Sequence, residues 1–434
     1  SFNHQCLILK RQNMKTPSLI LMTIILCNLS IPINAQILTS RQQKEDFDTL
    51  YSLLHKVHPD LFVYQTQKEF EKKHDSIYRL LNKERNLSDF YFIVSPFVAS
   101  VKDGHTNFTI PATQDRIDYL NNGGRTLPLR LKIVENKILV DFPLISCSIQ
   151  ENDEIICMNN INSQTILSQL YLLLGAEKGN AIKENQLTSY LSTLLWYKYN
   201  WGEKYDFTIK RGKKIWKESL NGISQIDALP VLKARLGKSL PQFVYTLSSD
   251  KQTATLQIMN LYQLPQLKQF CDSVFSVINR EHVPNLVIDV RNNKGGSSAG
   301  VDMLLSYLSH DAYTLYIKTD LKISSYSKRY NEQKHPETYE EIKNLPDGSL
   351  FAIRDSFVEG NRDKADIYKG SVTVLVNEST YSGASTFASA IKKSHAGKVL
   401  GETGCPTVYF GNYMSFTLPN SRLEYYISLN KFYE

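Results

Sequence analysis

The sequence SVTVLVNESTYSGASTFASAIKKSHAGKVLGETG, residues 371–404, decides the fold because it joins a buried strand, a tight turn and a helix in one unit. Its first part, Val372–Val376, is an uninterrupted apolar run that predicts a buried strand. Small residues follow Tyr381 and lead into apolar positions at helical spacing, so Ser382 is predicted where the strand turns into the helix. A second strand, Lys398–Leu400, closes the unit, and this succession is typical of an α/β sheet.

Two interpretations of Ser382 compete. Backbone N–H groups at the start of a helix point toward a developing oxyanion, so a serine at this turn is well placed to be a nucleophile. Strand-to-helix turns also use serine simply as an N-cap. The stretch by itself favours the N-cap, and the choice depends on two further stretches of the chain.

One of these stretches is another buried strand, which is followed by a glycine pair. Asn285–Arg291 is predicted as the strand, and it continues into Gly295 and Gly296 before a helix predicted over 299–308. A glycine pair allows a close approach of the backbone to a ligand. The stretch contains neither G-x-x-x-x-G-K-[ST] nor G-x-G-x-x-G, so an oxyanion site is a better chemical interpretation than a phosphate loop, with a plain tight turn as the alternative.

The second stretch is Asp103-Gly104-His105-Thr106, at the end of an apolar helical pattern. Asp-Gly is a common turn pair, so a turn without chemistry is the simplest interpretation. Such a turn can also hold an imidazole within hydrogen-bond reach of a nucleophile, as a general base requires. Among the nine histidines of the chain, His105 has the most constrained setting.

The length of 434 residues predicts two or three domains. Helical periodicity predicts an N-terminal helical domain over 36–121, which carries the Asp-Gly-His-Thr motif. Short strands and one or two helices predict a small α+β binding module and a linker over 122–235. From 236 to 434 strands and helices alternate, which predicts an α/β core that ends in a hairpin.

The N-terminus is predicted to be a targeting segment. Met14 opens a short basic region, an apolar run covers Leu19–Leu29, and Ala35 ends a small-residue cleavage site. Residues 1–35 are therefore assigned to a signal peptide and upstream residues, and the mature protein is expected in the periplasm, the cell envelope or the extracellular space. The apolar run is too short to span a bilayer stably, so the mature form is expected to have no stable membrane span.

The net charge and the cysteine pattern argue against nucleic acid, a metal or a cofactor as a ligand. The first 35 residues hold three basic residues and no acidic one, so their removal lowers the net charge from +7 to +4. This value is too small to argue for nucleic acid. The remaining cysteines have no C-x-x-C pattern and no metal-ligand spacing, so neither a metal nor a cofactor is expected.

The three motifs together resemble the C-terminal processing (tail-specific) serine peptidases. Leu286–Gly296 looks like the strand-loop signature of that family, Thr380–Ser385 is similar to its nucleophile turn, and Gly401–Thr403 to the segment after it. Asp103–Thr106 resembles the motif of the branch related to the tricorn core protease. The resemblance covers nearly the whole mature chain, with the motifs in the right order.

The resemblance implies a role for each matching residue. Ser382 would be the nucleophile, and His105 the general base and later the acid. Backbone N–H groups of Gly295, Gly296 and Gly383 would hold the oxyanion. The implied reaction is hydrolysis of peptide bonds in peptides or proteins through an acyl-enzyme, without a cofactor.

The resemblance also implies a fold. The catalytic core would be α/β and ClpP/crotonase-like. The intervening α+β module is similar to a degenerate PDZ domain, with Asn152–Ile155 matching its Gly-Asp-Glu-Ile turn. The N-terminal helical domain completes the expected architecture.

The chain departs from the family pattern in three places. Gly404–Thr407 contains no lysine, so a histidine base is favoured over a Ser–Lys dyad. Ser385 replaces a usual glutamate. The sequence stops at Glu434, before the family's Gly-x-x-Pro-Asp stretch, near which the tricorn branch places an acidic residue that orients the histidine. The sequence is then a fragment, or the orienting acid comes from elsewhere, with Glu402 as the candidate.

The sequence leaves four functions open. The leading one is an exported serine endopeptidase, and the second is a catalytically inactive peptide-binding protein of the same fold. An esterase is disfavoured because Thr380 precludes a G-x-S-x-G elbow. Cys405 as a thiol nucleophile is disfavoured because Pro406 follows it and no helix begins there. The sequence carries no signal for oligomeric state.

Overall fold

The fold comes from a computed structural model that describes residues 37–237, 241–309, 312–354, 357–358 and 367–434. The expected signal peptide lies outside these ranges. Within them, no helix is long and apolar enough to cross a bilayer. The helices are α1 Ser40–Val57, α2 Gln67–Leu80, α3 Leu87–Ala99, α4 Gln114–Asn121, α5 Ser163–Leu170, α6 Ala181–Tyr199, α7 Gln225–Leu236, α8 Leu264–Arg280, α9 Ser298–Leu305, α10 Ser325–Lys334, α11 Pro336–Ile342 and α12 Gly383–Lys393.

The strands form several sheets. They are β1 Ile37–Leu38, β2 Arg85–Asn86, β3 Arg125–Thr126, β4 Leu129–Val134, β5 Lys137–Pro143, β6 Glu154–Met158, β7 Ile161–Asn162, β8 Lys204–Arg211, β9 Lys214–Asn221, β10 Ile223–Ser224, β11 Phe243–Leu247, β12 Thr253–Ile258, β13 Asn285–Asp289, β14 Tyr313–Thr314, β15 Lys318–Lys322, β16 Leu350–Arg354, β17 Phe357–Val358, β18 Ser371–Leu375, β19 Lys398–Leu400, β20 Val408–Thr417 and β21 Glu424–Tyr433. The predicted mixed α/β class is confirmed.

The N-terminal helices begin at side-chain caps. The side chain of Thr39 forms a capping box with Gln42, and that of Thr66 forms one with Glu69. The Asn86 side chain accepts a hydrogen bond from the third residue of α3. Such caps satisfy backbone donors that a helix start leaves unpaired. Helix α3 then ends at the turn that contains the Asp-Gly-His-Thr motif.

The module after these helices is built on a sheet with the strand order β4-β5-β6-β8-β9, in which β7 also pairs with β6. Helix α6 packs against β4. The segment around Pro230, at the end of the range assigned to the module and its linker, is helix α7, although proline removes a backbone donor there. Its apolar side chains pack around Phe142 and Leu144, and this burial offsets the lost hydrogen bond.

The α/β core is a five-stranded sheet with the order β11-β12-β13-β18-β19. Strand β11 pairs antiparallel with β12, and the remaining neighbours are parallel. Asp289 at the end of β13 pairs with Leu375 at the end of β18. The loops that follow these two strands therefore lie side by side at the carboxyl edge of the sheet, where ligands bind in open α/β sheets.

A second sheet, with the order β16-β15-β21-β20, attaches the N-terminal helices to the core. The predicted terminal hairpin is present as β20 and β21, which pair antiparallel. Strand β21 also binds the segment after α3, because the Tyr426 N–H donates to Asn107 O at 2.9 Å and the Ser428 N–H donates to Thr106 Oγ1 at 2.9 Å. These bonds fix the Asp-Gly-His-Thr turn beside the core sheet.

Candidate active site

Ser382 lies between β18 and α12 with a backbone conformation unusual for a residue that carries a side chain. Its φ of 52° and ψ of −130° lie in a region that costs on the order of 1–3 kcal/mol for such a residue. Neighbouring contacts hold the turn: the Thr380 hydroxyl donates to Val290 O at 2.9 Å, and the Tyr381 N–H donates to Asn293 O at 2.9 Å. Strain of this kind persists where the surroundings impose it.

The Ser382 side chain does not act as a helix cap, although Ser382 occupies the N-cap position of α12. Its Oγ instead lies 3.2 Å from Nε2 of His105, which is 277 residues away in the chain. The geometry is that of a hydroxyl hydrogen-bonded to an imidazole that can take its proton.

His105 is partly buried between two tyrosine rings. Its ring lies 5.0 Å from that of the buried Tyr381 and 6.1 Å from that of the exposed Tyr413. Burial lowers the pKa of His105, and the negative charge of Asp103 opposes this shift in part. A lowered pKa keeps the imidazole neutral at pH 7, which a general base requires.

Asp103 is the buried acid closest along the chain to His105. One of its oxygens, Oδ1, accepts the His105 backbone N–H at 2.8 Å and lies 3.8 Å from the ring atom Nδ1. Burial alone would raise the pKa of Asp103, but the hydrogen bond from His58 and the two nearby imidazoles outweigh it, so the pKa lies below its ordinary value. Asp103 is therefore an anion at neutral pH.

Glu177 is a second carboxyl group beside the histidine. Its Oε2 accepts hydrogen bonds from the Tyr381 hydroxyl at 2.6 Å and from the Gly104 N–H at 3.1 Å. Burial, followed by the negative charge of Asp103, raises the pKa of Glu177 to about 8. The two neighbouring carboxyl groups thus differ in protonation at pH 7, which is a pattern found in active sites.

The glycine pair after β13 packs directly against the nucleophile turn. A Cβ on Gly295 would lie 2.7 Å from the Gly383 nitrogen, and one on Gly296 would lie 2.3 Å from the carbonyl carbon of Leu261. Side chains are therefore excluded at both positions, and the backbone of Gly296 and that of Gly383 come close together.

The backbone N–H groups near Ser382 differ in availability. The Gly295 N–H donates to Asn293 Oδ1 at 2.7 Å, so it is already used. Among the described residues, no protein acceptor takes the N–H of Gly296 or of Gly383. Both amides are therefore available to a ligand beside Ser382.

Glu402, offered by the sequence as an orienting acid, lies away from the histidine. Its side chain is 76% exposed and forms an ion pair with Lys178 at 2.8 Å. The carboxylate of Glu402 therefore interacts with Lys178 and with water, and it forms no hydrogen bond with His105 among the described residues. The structure therefore brings together Ser382, His105 and the glycines, but not Glu402.

One group of side chains has the spacing of a cation site. Asp103, His105 and Glu177 each offer a ligand atom within 4.8 Å of the others. Most of their oxygens already accept hydrogen bonds: Asp103 Oδ2 from His58 and Thr106, and Glu177 Oε2 from two donors. Glu177 Oε1 is buried without a hydrogen-bond partner among the described residues. Hydrogen bonding thus accounts for the positions of Asp103 and of Glu177 Oε2.

Four groups of this site have no role that was predicted from the sequence: Asp103, His58, Glu177 and Tyr381. Asp103 and Tyr381 stand beside predicted site residues, and that adjacency was the available signal. His58 and Glu177 lie in segments without a motif, so only the folded chain brings them to His105.

Comparison with known proteins supports a relationship by family. Residues 252–433 match the sequence model of peptidase family S41. The match confirms the expected relationship to C-terminal processing serine peptidases and the expected class of serine-type peptidase. No curated protein matches the chain in sequence.

Solved structures share the fold over nearly the whole chain. The crystal structure of mature CPAF has a TM-score of 0.60 and 13% identity, covering 90% of this chain and 89% of that chain. A mutant of CPAF has a TM-score of 0.63 and 13% identity, covering 91% and 89%. The complex of mature CPAF with lactacystin has a TM-score of 0.59 and 14% identity, covering 90% of each chain. At these identities the likeness shows a common fold.

Proposed function

We propose that this chain, whose residues 252–433 match the model of peptidase family S41, hydrolyses peptide bonds through an acyl-enzyme on Ser382 with His105 as general base. One observation carries the proposal: Oγ of Ser382 lies 3.2 Å from Nε2 of His105, although the two residues are 277 positions apart. A serine hydroxyl is a weak nucleophile until an adjacent base takes its proton, and the imidazole is placed to do so.

Acylation begins when the Ser382 oxygen attacks the carbonyl carbon of the scissile peptide bond and its proton passes to Nε2 of His105. The resulting imidazolium lies beside the anionic Asp103, which stabilises it. His105 then gives the proton to the leaving amine as the C–N bond breaks. Water, deprotonated by the same imidazole, attacks the ester and releases the acid product together with free Ser382.

The negative oxygen of each tetrahedral intermediate would be held by the N–H groups of Gly296 and Gly383. Both donors belong to the rigid pair of loops after β13 and β18, so they need no reorganisation during the reaction. The N–H of Gly295 has no part in this proposal, because Asn293 accepts it.

The finer architecture and the location of the protein are part of the same proposal. We assign 236–434 to a ClpP/crotonase-like catalytic core, 122–235 to a degenerate PDZ-like module with its linker, and 36–121 to the helical domain. The module would hold a chain end or an extended segment of a peptide or protein substrate. The apolar run before Ala35 supports export to the periplasm or cell envelope, and N-terminal sequencing of the mature protein tests cleavage there.

A catalytically inactive peptide-binding protein is the alternative. It is motivated by Ser385, which stands where the family usually has glutamate. In the structure the Ser385 hydroxyl donates to Thr380 O at 3.1 Å and stabilises the turn. The substitution thus leaves the nucleophile turn supported, which favours the active peptidase.

Labelling with a fluorophosphonate probe separates the two functions, because the probe reacts only with an activated serine. We expect rapid labelling of the wild-type protein and none of Ser382→Ala, with strong impairment in His105→Ala. Ser379→Ala, on the same turn, is the matched control and should be labelled like the wild type. Undiminished peptide cleavage by Ser382→Ala refutes the proposal, whereas peptide binding without labelling or turnover supports the inactive alternative.

A further inference from the structure

His58 is a buried histidine outside the proposed catalytic pair. It follows the last residue of α1 and has no exposed surface. Its Nε2 lies 3.2 Å from Oδ2 of Asp103, and its ring packs against Phe410 at a centroid distance of 4.6 Å. The first helix of the chain thus ends in direct contact with the acid that lies beside His105.

The hydrogen bond at Nδ1 of His58 indicates which ring nitrogen has the proton. Nδ1 accepts the backbone N–H of Asp60 at 3.2 Å, so it has no proton of its own. A neutral imidazole has one donor nitrogen and one acceptor nitrogen. Nε2 therefore has the proton and donates it to Asp103. The Asp60 carboxylate in turn pairs with Lys431 at 2.9 Å, which anchors the loop that contains this N–H.

The two oxygens of Asp103 have different partners. Oδ2 accepts from His58 and from the Thr106 hydroxyl, while Oδ1 accepts the His105 backbone N–H and faces the His105 ring. A carboxylate bound at Oδ2 cannot rotate away from the catalytic ring. Partners of this kind orient functional side chains and tune their basicity.

We propose that His58 is a positioning residue of the peptidase: its Nε2–H holds Asp103 ionised and aimed at His105, so that a His58–Asp103–His105–Ser382 chain activates the nucleophile. This inference rests on the proposed function. A packing role is the alternative, since a buried histidine with satisfied nitrogens can simply fill the interior.

Two amide substitutions separate these roles. The side-chain nitrogen of glutamine can occupy the place of Nε2, whereas asparagine is one methylene shorter and falls short of Asp103. We expect His58→Gln to be labelled by the fluorophosphonate probe nearly as fast as the wild type. His58→Asn should be slower by a factor of about 10 or more, by analogy with the loss of a hydrogen-bond partner of a metal-bound histidine.

The dependence of the labelling rate on pH gives a readout that packing would not change. Asp103 is faced by His58, His105 and Glu177, and without the His58 donor its pKa rises. Activity requires an ionised Asp103 as well as a neutral His105. Because the rise in the pKa of Asp103 favours its protonated form, the acid limb of His58→Asn should move to higher pH. A packing defect instead lowers the rate by one factor at every pH.

Nitrogen-15 NMR of histidine-labelled wild-type protein tests the same inference without a variant. We expect His58 to have its proton on Nε2 and none on Nδ1 at pH 7. The opposite tautomer or a charged ring overturns the inference, and so do equal labelling rates for His58→Gln and His58→Asn. If the wild-type protein is not labelled at all, the proposed function fails, while the tautomer is still determined by NMR.

Discussion

Replacement of Asp103 by asparagine measures how much the site depends on one buried charge. Asp103→Asn keeps the shape of the side chain and removes its negative charge, so the imidazolium that forms at His105 during acylation loses its counter-ion. We therefore expect a large fall in the rate at which Ser382 is acylated.

The magnitude follows from the distance between the two groups. Oδ1 of Asp103 lies 3.8 Å from Nδ1 of His105. Two unit charges about 4 Å apart attract by about 4 kcal/mol at an effective dielectric constant near 20. Because about 1.4 kcal/mol corresponds to a tenfold change in rate, acylation should slow on the order of a thousandfold.

The assay is the fluorophosphonate labelling rate at pH 7, with circular dichroism to show that each variant is folded. Glu177→Gln is the matched control, since the neighbouring Glu177 carboxyl, with its pKa raised to about 8, already holds a proton at pH 7. Its amide replacement should leave the rate nearly unchanged. The reasoning is refuted if folded Asp103→Asn loses less than about tenfold, or if Glu177→Gln loses as much as Asp103→Asn.

Three further predictions concern stability, the oxyanion site and the thiol. The raised pKa of Glu177 means that the folded protein holds a proton that the unfolded chain releases, so stability should fall as pH rises from about 4.5 to about 8. Thermal melts of Glu177→Gln should show a smaller fall over this range. Equal pH dependence of the melting temperature in the variant and the wild type would contradict this reasoning. Gly296→Ala should abolish probe labelling because its Cβ would lie 2.3 Å from the Leu261 carbonyl carbon. The control is Gly212→Ala, where φ is positive but the space around the added Cβ is open, and this variant should retain labelling and lose only stability. Burial raises the pKa of Cys405, so iodoacetamide should inactivate the protein slowly if at all, and rapid inactivation would revive a thiol nucleophile.

The fold of the core followed largely from local pattern. The runs Val372–Val376 and Asn285–Arg291 predicted two of the parallel strands, because continuous apolar residues suit strands buried on both faces. The turns after them were readable as well, since small residues and glycines mark close backbone approach. The helix α7 around Pro230 was not predicted, because its stability comes from apolar contacts with a distant strand rather than from its own sequence.

The sequence by itself determined which residues could act: Ser382 on a strand-to-helix turn, a glycine pair after a buried strand and His105 on a tight turn. These features depend on neighbours in the chain, and the resemblance to a family supplied their roles. Only the tertiary structure decided that Asp103 rather than Glu402 lies beside the histidine and that His58 lies behind that acid. Such contacts depend on how helices and the last strand pack across hundreds of residues, and no local periodicity encodes that packing.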